Sequence, residues 1–378
     1  MRSQNPNNGK SDDKLRVIIS GGGTGGHIFP AIAIADAIKQ ERPDAEILFV
    51  GAKGKMEMEK VPKAGYPIEG LWISGFHRKL TLRNLMFPLK VAISLAKAWR
   101  IISRFRPDVV AGVGGFASGP LLDIASRRGI PTLIQEQNSY AGVTNRLLAR
   151  KVDKICVAYP GMERYFPAEK IVLTGNPVRK AIQDNTASRA EGAAYFGFDP
   201  ERPILFIFGG SLGAKSINEA IAANAALLRE RPEVQVLWQV GQLYEAEFLA
   251  CETAKLPNVS ARAFISEMGL AYAMADVIIC RAGALTISEL YFAGKAALFI
   301  PSPNVAEDHQ TKNAMAVAQA GAAWVLKDSD AREQAIRKAF ELLDDETSRR
   351  ELSGRIRQLA MPDAAAHIAA ELQQLASH

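Results

Sequence analysis

The sequence predicts an α/β protein of two doubly wound, Rossmann-like domains facing one another across a cleft. Apolar runs that read as buried strands alternate along the chain with stretches of helical period, which implies parallel sheets with right-handed crossovers. Each half opens in the same way, on a strand, a glycine turn and a helix. The first opening is LRVIIS-GGGTGGH-IFPAIAIADAIKQ from residue 15, the second PILFIF-GGSLGAK-SINEAIAANAALLRE from residue 203. A length of 378 residues also suits two domains of ~150 residues each.

The elements follow in order. After LRVIIS, strand ends are expected in EILFVG, DVVAGVGG, TLIQEQN, KICVAY and IVLTGN; after PILFIF, in VQVLWQVG, VSARAFI, VIICRAG and AALFIPSP. The boundary is placed at GNPVR. Residues 1–14 form a polar tail, 15–179 the first domain and 180–361 the second. Residues 362–378 form a helix after a proline, crossing back to the first domain. Ligands of such sheets bind at the carboxyl ends of the strands, so both glycine loops should line the cleft.

Composition narrows the classes. With 48% apolar and 23% charged residues, the chain is neither largely disordered, nor collagen-like, nor a polytopic membrane protein. Cys156, Cys251 and Cys280 are too few and too scattered for a disulfide framework, and no CxxC pair offers a zinc site, so a reducing compartment is expected. The first fourteen residues lack the apolar core of a secretory signal, and no apolar run approaches the ~18 residues of a bilayer span.

Charge is divided unevenly. Up to Arg179 there are 27 basic and 15 acidic residues, a surplus of twelve; beyond it there are 19 and 25, a deficit of six. Residues 78–106 hold Arg78, Lys79, Arg83, Lys90, Lys97, Arg100, Arg104 and Arg106 without one acid. Leu82, Leu85, Met86, Leu89, Ile93, Trp99, Ile102 and Phe105 interleave with them, and Pro88 marks a helix start or kink. A basic amphipathic helix fits an anionic membrane surface. An ordinary helix packed on a sheet with a solvated basic face would read the same way.

The glycine loops carry the chemistry. Residues 21–26 satisfy GxGxxG between a strand and a helix, where backbone and helix N-terminus can take up a diphosphate. A nicotinamide site would also need an acid at the end of the next strand. EILFVG ends instead in Gly51-Ala52-Lys53, which disfavours that reading. GGSLGAKS (residues 209–216) nearly matches a P-loop, but Ala214 stands where the last glycine belongs. What remains there is a loop for one phosphate group. GVGGFASGP (residues 112–120) is a third glycine-rich strand end. Its Gly114, Gly115 and Ser118 could offer donors to a second anionic group.

GGGTGGHIFPAIAIA, GVGGFASGP, QEQNSYAGVTNR, GNPVR, GGSLGAKSIN, CRAGALTISEL and EDHQTKNA occur in this order from about residue 17 to residue 321. Together they resemble the peptidoglycan N-acetylglucosaminyltransferases, which have a GT-B fold. The resemblance implies transfer of N-acetylglucosamine from UDP-N-acetylglucosamine to the 4-hydroxyl of the muramoyl sugar of lipid I. It implies inversion at the anomeric carbon, with lipid II and UDP as products. It further implies no cofactor and no bound metal for the chemistry, and peripheral attachment to the cytoplasmic face of the cell membrane. The partners expected are the donor, lipid I, an anionic membrane surface and other cell-wall synthesis proteins, with no nucleic acid. Asp328-Ser329-Asp330 spells DxD, but in a late polar turn where a solvated loop is expected.

An inverting transfer needs a base for the acceptor hydroxyl, stabilisation of the leaving diphosphate, and an oriented donor. His27 ends the first loop at a helix N-terminus, which disfavours imidazolium and suits a general base; Glu136 is the competing base. Thr24, Gly25 and Gly26 are expected at the donor, and Gly114, Gly115 and Ser118 at the acceptor diphosphate. The resemblance places Asn138 at the donor sugar, with Gln135 where many relatives have histidine. It places Arg179 and Ser211, with the amides of Leu212 and Gly213, at the diphosphate. Ala284, Leu285 and Thr286 supply further amides, Glu289 accepts from the ribose, Ile265 lies on the uracil with its backbone reading the base edge, and Gln310 binds sugar hydroxyls. Asp308 and His309 are polar neighbours without an assigned role. Alternatives are a diacylglycerol glycosyltransferase, a UDP-sugar epimerase or hydrolase, a nicotinamide-dependent oxidoreductase and a non-catalytic UDP-sugar sensor.

Overall fold

Strands made almost wholly of Val, Ile, Leu and Phe, such as ILFIF, cannot leave a face in water, and helices must cover both sides. The computed structural model, which describes residues 14–74 and 86–377, meets that demand twice. The first sheet contains β1 (Arg16–Ser20), β2 (Glu46–Ala52), β3 (Ile68–Leu71), β4 (Val109–Gly112), β5 (Thr132–Glu136), β6 (Lys154–Val157) and β7 (Ile171–Leu173). The second contains β8 (Ile204–Phe208), β9 (Gln235–Gln239), β10 (Val259–Arg262), β11 (Val277–Cys280), β12 (Ala296–Phe299) and β13 (Trp324–Val325). The strand orders are β3-β2-β1-β4-β5-β6-β7 and β10-β9-β8-β11-β12-β13, and every described pairing is parallel.

In each sheet the strand opening the half is central, and the order reverses beside it, β1 lying between β2 and β4 and β8 between β9 and β11. A crevice opens at such a reversal because the flanking crossovers leave to opposite faces. The two glycine loops leave β1 and β8, one at each crevice. β3 and β13 were absent from the sequence reading. Both are short edge strands, IEGL interrupted by a charge and WV only two residues long.

The last helix, Ala364–Ala376, buries Ile368, Ala369 and Leu372 in the core between β1 and the helix Gly25–Glu41. Lys154 pairs with its Glu371, and Gln373 donates to Glu41 at 2.6 Å. The chain therefore ends on the first sheet after building the second. No helix among the described residues is long and apolar enough to cross a membrane.

The helix Phe87–Phe105 carries part of the basic stretch, with Pro88 in its first turn. Ser94, Ala98, Ile101 and Ile102 face inward, while Met86, Leu89, Ile93 and Trp99 are exposed, as is Trp72 nearby. The helix borrows an acid from outside its own segment. Glu69 of β3 pairs with Arg104 and lies 3.8 Å from Lys97, so the stretch is less positive than its sequence alone suggests. Arg78, Lys79, Leu82, Arg83 and Leu85 lie outside the described residues.

Candidate active site

The first glycine loop is built around a carboxylate. Glu57, fully buried at the start of the helix Glu57–Lys63, accepts from the amides of Ala52 and Gly23, both at 2.9 Å. The acid missing from the end of β2 thus arrives five residues later, and the loop backbone consumes it. A Cβ on Gly22 would lie 2.2 Å from its Oε1, so the loop and this carboxylate fill one space. Thr24 caps the helix Gly25–Glu41 in extended backbone with no side-chain bond to it. The amides of Thr24, Gly25 and Gly26 have no partner among the described residues. That is the usual opening of a helix N-terminus toward an anion.

His27 stands at the end of this loop. Its Nδ1 lies 3.0 Å from Gln137 Oε1, and Gln137 Nε2 donates to the carbonyl of Val113 at 2.8 Å. A carbonyl only accepts, so the amide nitrogen must face Val113 and the amide oxygen must face the histidine. Nδ1 therefore carries the proton, and Nε2 keeps its lone pair. Burial, more than any other influence, pulls the imidazole below its ordinary 6.5, against the raising effect of nearby Glu136. The ring is neutral near pH 7 with a basic nitrogen free.

Glu136 is placed differently from the competing base expected of it. It is buried, with Oε1 accepting from the backbone and side chain of Asn138 and Oε2 from the Gly142 amide and Asn145 Nδ2, at 2.8–3.2 Å. Both oxygens are spent on the loop that follows β5, so the residue braces that loop. Gly114 and Gly115, at φ 94° and 91°, let this strand end pass against the first loop. A Cβ on Gly114 would lie 2.6 Å from His27 Nδ1, and one on Gly115 2.5 Å from the Gly22 carbonyl. Ser118 does not face a ligand either, because its buried hydroxyl turns to the carbonyls of Ser20 and Gly114.

Asn138 is held from both sides of the cleft. Asn313, fully buried in the helix His309–Gln319, donates to Asn138 Oδ1 at 3.0 Å and accepts from the Ser139 amide and hydroxyl at 2.9 and 3.0 Å. Nearby, Arg146 pairs with Glu307 at 2.9 Å, and Lys312 sits over the Tyr140 ring. Asn138 is therefore a strut between the halves, with one N–H and one lone pair of its amide not used by these bonds. Gln310 keeps its amide nitrogen available, since Ser302 donates to its Oε1 at 2.8 Å. Asp308 accepts from the Thr311 hydroxyl.

The second loop closes on itself. The Gly213 amide, expected at a phosphate, donates to the Gly210 carbonyl at 2.9 Å. The amides of Ser211 and Leu212 have no partner among the described residues and are exposed. Across the crevice, Gly283 caps the helix Ala284–Ala293 without a side-chain bond, so the amides of Ala284, Leu285 and Thr286 form a second open N-terminus. Glu289 lies further along that helix. It accepts from Arg179 at 2.8 and 3.2 Å on Oε1 and from the Tyr272 hydroxyl at 2.9 Å on Oε2. Arg179 and Glu289 thus pair with each other, though Arg179 is 48% exposed and such a pair opens at small cost. Ile265 is buried, and its amide already donates to Gln239 Oε1 at 2.9 Å. Only its carbonyl is left for a base edge.

Two family models match, the glycosyltransferase family 28 N-terminal domain over residues 17–157 and the C-terminal domain over residues 204–368. The chain belongs to glycosyltransferase family 28. It is 55% identical over 353 residues, 93% of this chain and 95% of the other, to a Cytophaga hutchinsonii protein. That protein is named UDP-N-acetylglucosamine–N-acetylmuramyl-(pentapeptide) pyrophosphoryl-undecaprenol N-acetylglucosamine transferase. A Bacteroides fragilis protein of the same name is 51% identical over 378 residues, 100% of this chain and 99% of its own. The crystal structure of Acinetobacter baumannii MurG superimposes with a TM-score of 0.78 at 32% identity, covering 96% of this chain and 99% of that one.

Several residues of this family 28 glycosyltransferase escaped the sequence reading. Gln137 had a signal, since side chains alternate along an extended strand and Gln135 and Gln137 share a face that Glu136 does not. Asp328 had none. Far from being merely solvated, it joins Arg281 at 2.5 Å and Ser216 at 2.7 Å, and so ties the helix after the second loop to the turn before the Ala284–Ala293 helix. Gln239 links the amide of Ile265 to the Gly210 carbonyl at 3.0 Å. Glu57 and Asn313 depend on long-range return of the chain.

Proposed function

We propose that this glycosyltransferase moves N-acetylglucosamine from UDP-N-acetylglucosamine to the 4-hydroxyl of the N-acetylmuramoyl sugar of lipid I, inverting the anomeric carbon and releasing UDP. The observation that carries the reading is the 51–55% identity, over nearly the whole length of each chain, to transferases so named. The geometry supports it. His27 Nε2 takes the proton of the acceptor hydroxyl as that oxygen attacks the anomeric carbon. The bond from that carbon to the β-phosphate oxygen breaks, and UDP leaves with the electron pair.

The leaving diphosphate is met by preorganised amides, whose orientation costs nothing at the moment of reaction. Those of Ser211 and Leu212 and of Ala284, Leu285 and Thr286 serve it, and those of Thr24, Gly25 and Gly26 face it from the other loop. Glu289 accepts from the ribose once Arg179 leaves Oε1 for the diphosphate. Gln310 donates to the sugar, and the Ile265 carbonyl reads the uracil edge. The first domain receives the acceptor and the second the donor.

The acceptor is carried by a lipid, and the reading therefore includes a membrane-facing surface. Trp72, Met86, Leu89, Ile93 and Trp99 are exposed together with Arg100 and Arg104, with Lys90 half-buried beside them, the composition of an interfacial helix. The place of action is then the cytoplasmic face of the cell membrane. Labelled donor with a lipid I analogue tests the activity. Label should reach the lipid only when both substrates are present, and donor conversion without acceptor would favour an epimerase or hydrolase. Vesicle flotation tests the surface, with retention expected on anionic vesicles and little on neutral ones at moderate salt; equal retention would remove the electrostatic part.

A further inference from the structure

The base is connected to the opposite half of the molecule by a chain of buried hydrogen bonds. His27 Nδ1–H donates to Gln137 Oε1 at 3.0 Å, Gln137 Nε2 to Gln135 Oε1, and Gln135 Nε2 to Asn176 Oδ1 at 2.9 Å. Asn176 Nδ2 donates to Ser288 Oγ at 3.1 Å, and the Ser288 hydroxyl to the carbonyl of Ala284 at 2.9 Å. Gln135, Gln137, Asn176 and Ser288 are each at most 5% exposed, so water does not compete for these bonds.

The direction of every bond is determined. Asn176 Nδ2 also donates to the main-chain carbonyl of Gln137 at 3.0 Å. Its nitrogen must face that carbonyl, which turns its oxygen to Gln135 and the oxygen of Gln135 to Gln137. Gln137 is fixed independently by the carbonyl of Val113. Two main-chain carbonyls thus orient three amides and, through them, one imidazole proton. The chain ends at Ala284, the first residue of the helix whose N-terminus faces the proposed diphosphate site.

We infer that Gln137 is a positioning residue that holds His27 in its Nδ1–H tautomer, and that Gln135, Asn176 and Ser288 join its amide to the donor-side helix Ala284–Ala293. The serine supplies the step between the halves. Among neutral tautomers only this one presents a bare Nε2, so Gln137, turned by the Val113 carbonyl, keeps the base usable. The value of this to catalysis rests on His27 being the base; the tautomer itself does not.

Nitrogen-15 shifts of histidine-labelled full-length protein, with His27→Ala to assign the signal, read the tautomer directly. The wild type should show a protonated Nδ1 and a bare Nε2 at neutral pH. Gln137→Leu, close in size but without the acceptor for the Nδ1 proton, should mix the tautomers and lower kcat about three- to tenfold, as one lost hydrogen bond does, with donor KM little changed. Gln137→Glu should move the acidic limb of the kcat profile up by about one pH unit, because a carboxylate accepting from Nδ1 stabilises imidazolium. A merely structural role would lower the melting temperature and leave both tautomer and limb in place. An Nε2–H signal in the wild type, or a tautomer untouched by Gln137→Leu, overturns the inference. A normal tautomer with full activity in His27→Ala overturns instead the assignment of the base.

Discussion

The two glycine loops leave equivalent central strands at equivalent crevices, yet they are stabilised by different means. The first is held by side chains: Glu57 takes two amides, and the loop ends on a histidine whose proton another side chain directs. The second is held mainly backbone against backbone, with one side-chain bond from Gln239 to the Gly210 carbonyl. A Cβ on Gly213 would lie 2.2 Å from the Val240 carbonyl, and one on Gly241 2.1 Å from the Gly213 nitrogen. Its free amides suit a fixed anionic charge, whereas the first loop adds a titratable group beside its amides. One strand-turn-helix device can therefore present free amides alone or free amides beside a titratable group, and the difference lies in what packs behind it.

The largest effect should come from removing the titratable group. His27→Ala should lower kcat by about 10²–10⁴, the usual worth of a general base, with UDP affinity measured by calorimetry nearly unchanged. Unaltered turnover would dissolve the contrast between the loops. Because burial holds the imidazole below 6.5 and the neutral form is the active one, wild-type kcat should be flat at neutral pH. It should fall only as acid protonates the ring below that value, and a limb above 6.5 would contradict the geometry.

Paired glycine substitutions sharpen the comparison next. Gly213→Ala, at φ 88° against a carbonyl, introduces strain of about 1–3 kcal/mol and should raise donor KM tenfold or more. Gly114→Ala pushes its methyl at His27 and should lower kcat instead, leaving donor KM within about threefold on the scale that separates chemistry from binding. Steady-state kinetics of both would show whether the loops divide the work in this way; parallel effects on both constants would argue that they do not.

Smaller effects belong to the seam and to the ribose side. Asn313→Ala strands the Ser139 groups and Asn138, and should cost about 1–3 kcal/mol in urea unfolding. A variant as stable as the wild type would show the strut to be idle. Tyr272→Phe removes one donor to Glu289 and should weaken UDP about two- to tenfold without touching kcat, as a direct titration would show.

Much of this was legible in the residues. PILFIF and VIICRAG read as central strands because both faces of a parallel sheet are apolar, and the glycine loops read as ligand turns because amides at helix N-termini lack partners. Edge strands such as IEGL carry too few apolar residues for their period to register. Glu136 looked like a base because a lone acid in a polar motif gives no hint of the four donors that the next loop folds around it.

The sequence by itself determined two wound sheets, their loops and the types of residue at each. Composition and periodicity are local, and they act before any distant segment arrives. Tertiary structure alone decided which groups are free: that Glu57 is consumed, that the Gly213 and Ile265 amides are occupied, and that His27 keeps a bare Nε2. Hydrogen-bond capacity is finite, and whether a given donor or acceptor is left over depends on neighbours brought in from far along the chain, as Asn313 is to Ser139, 174 residues away.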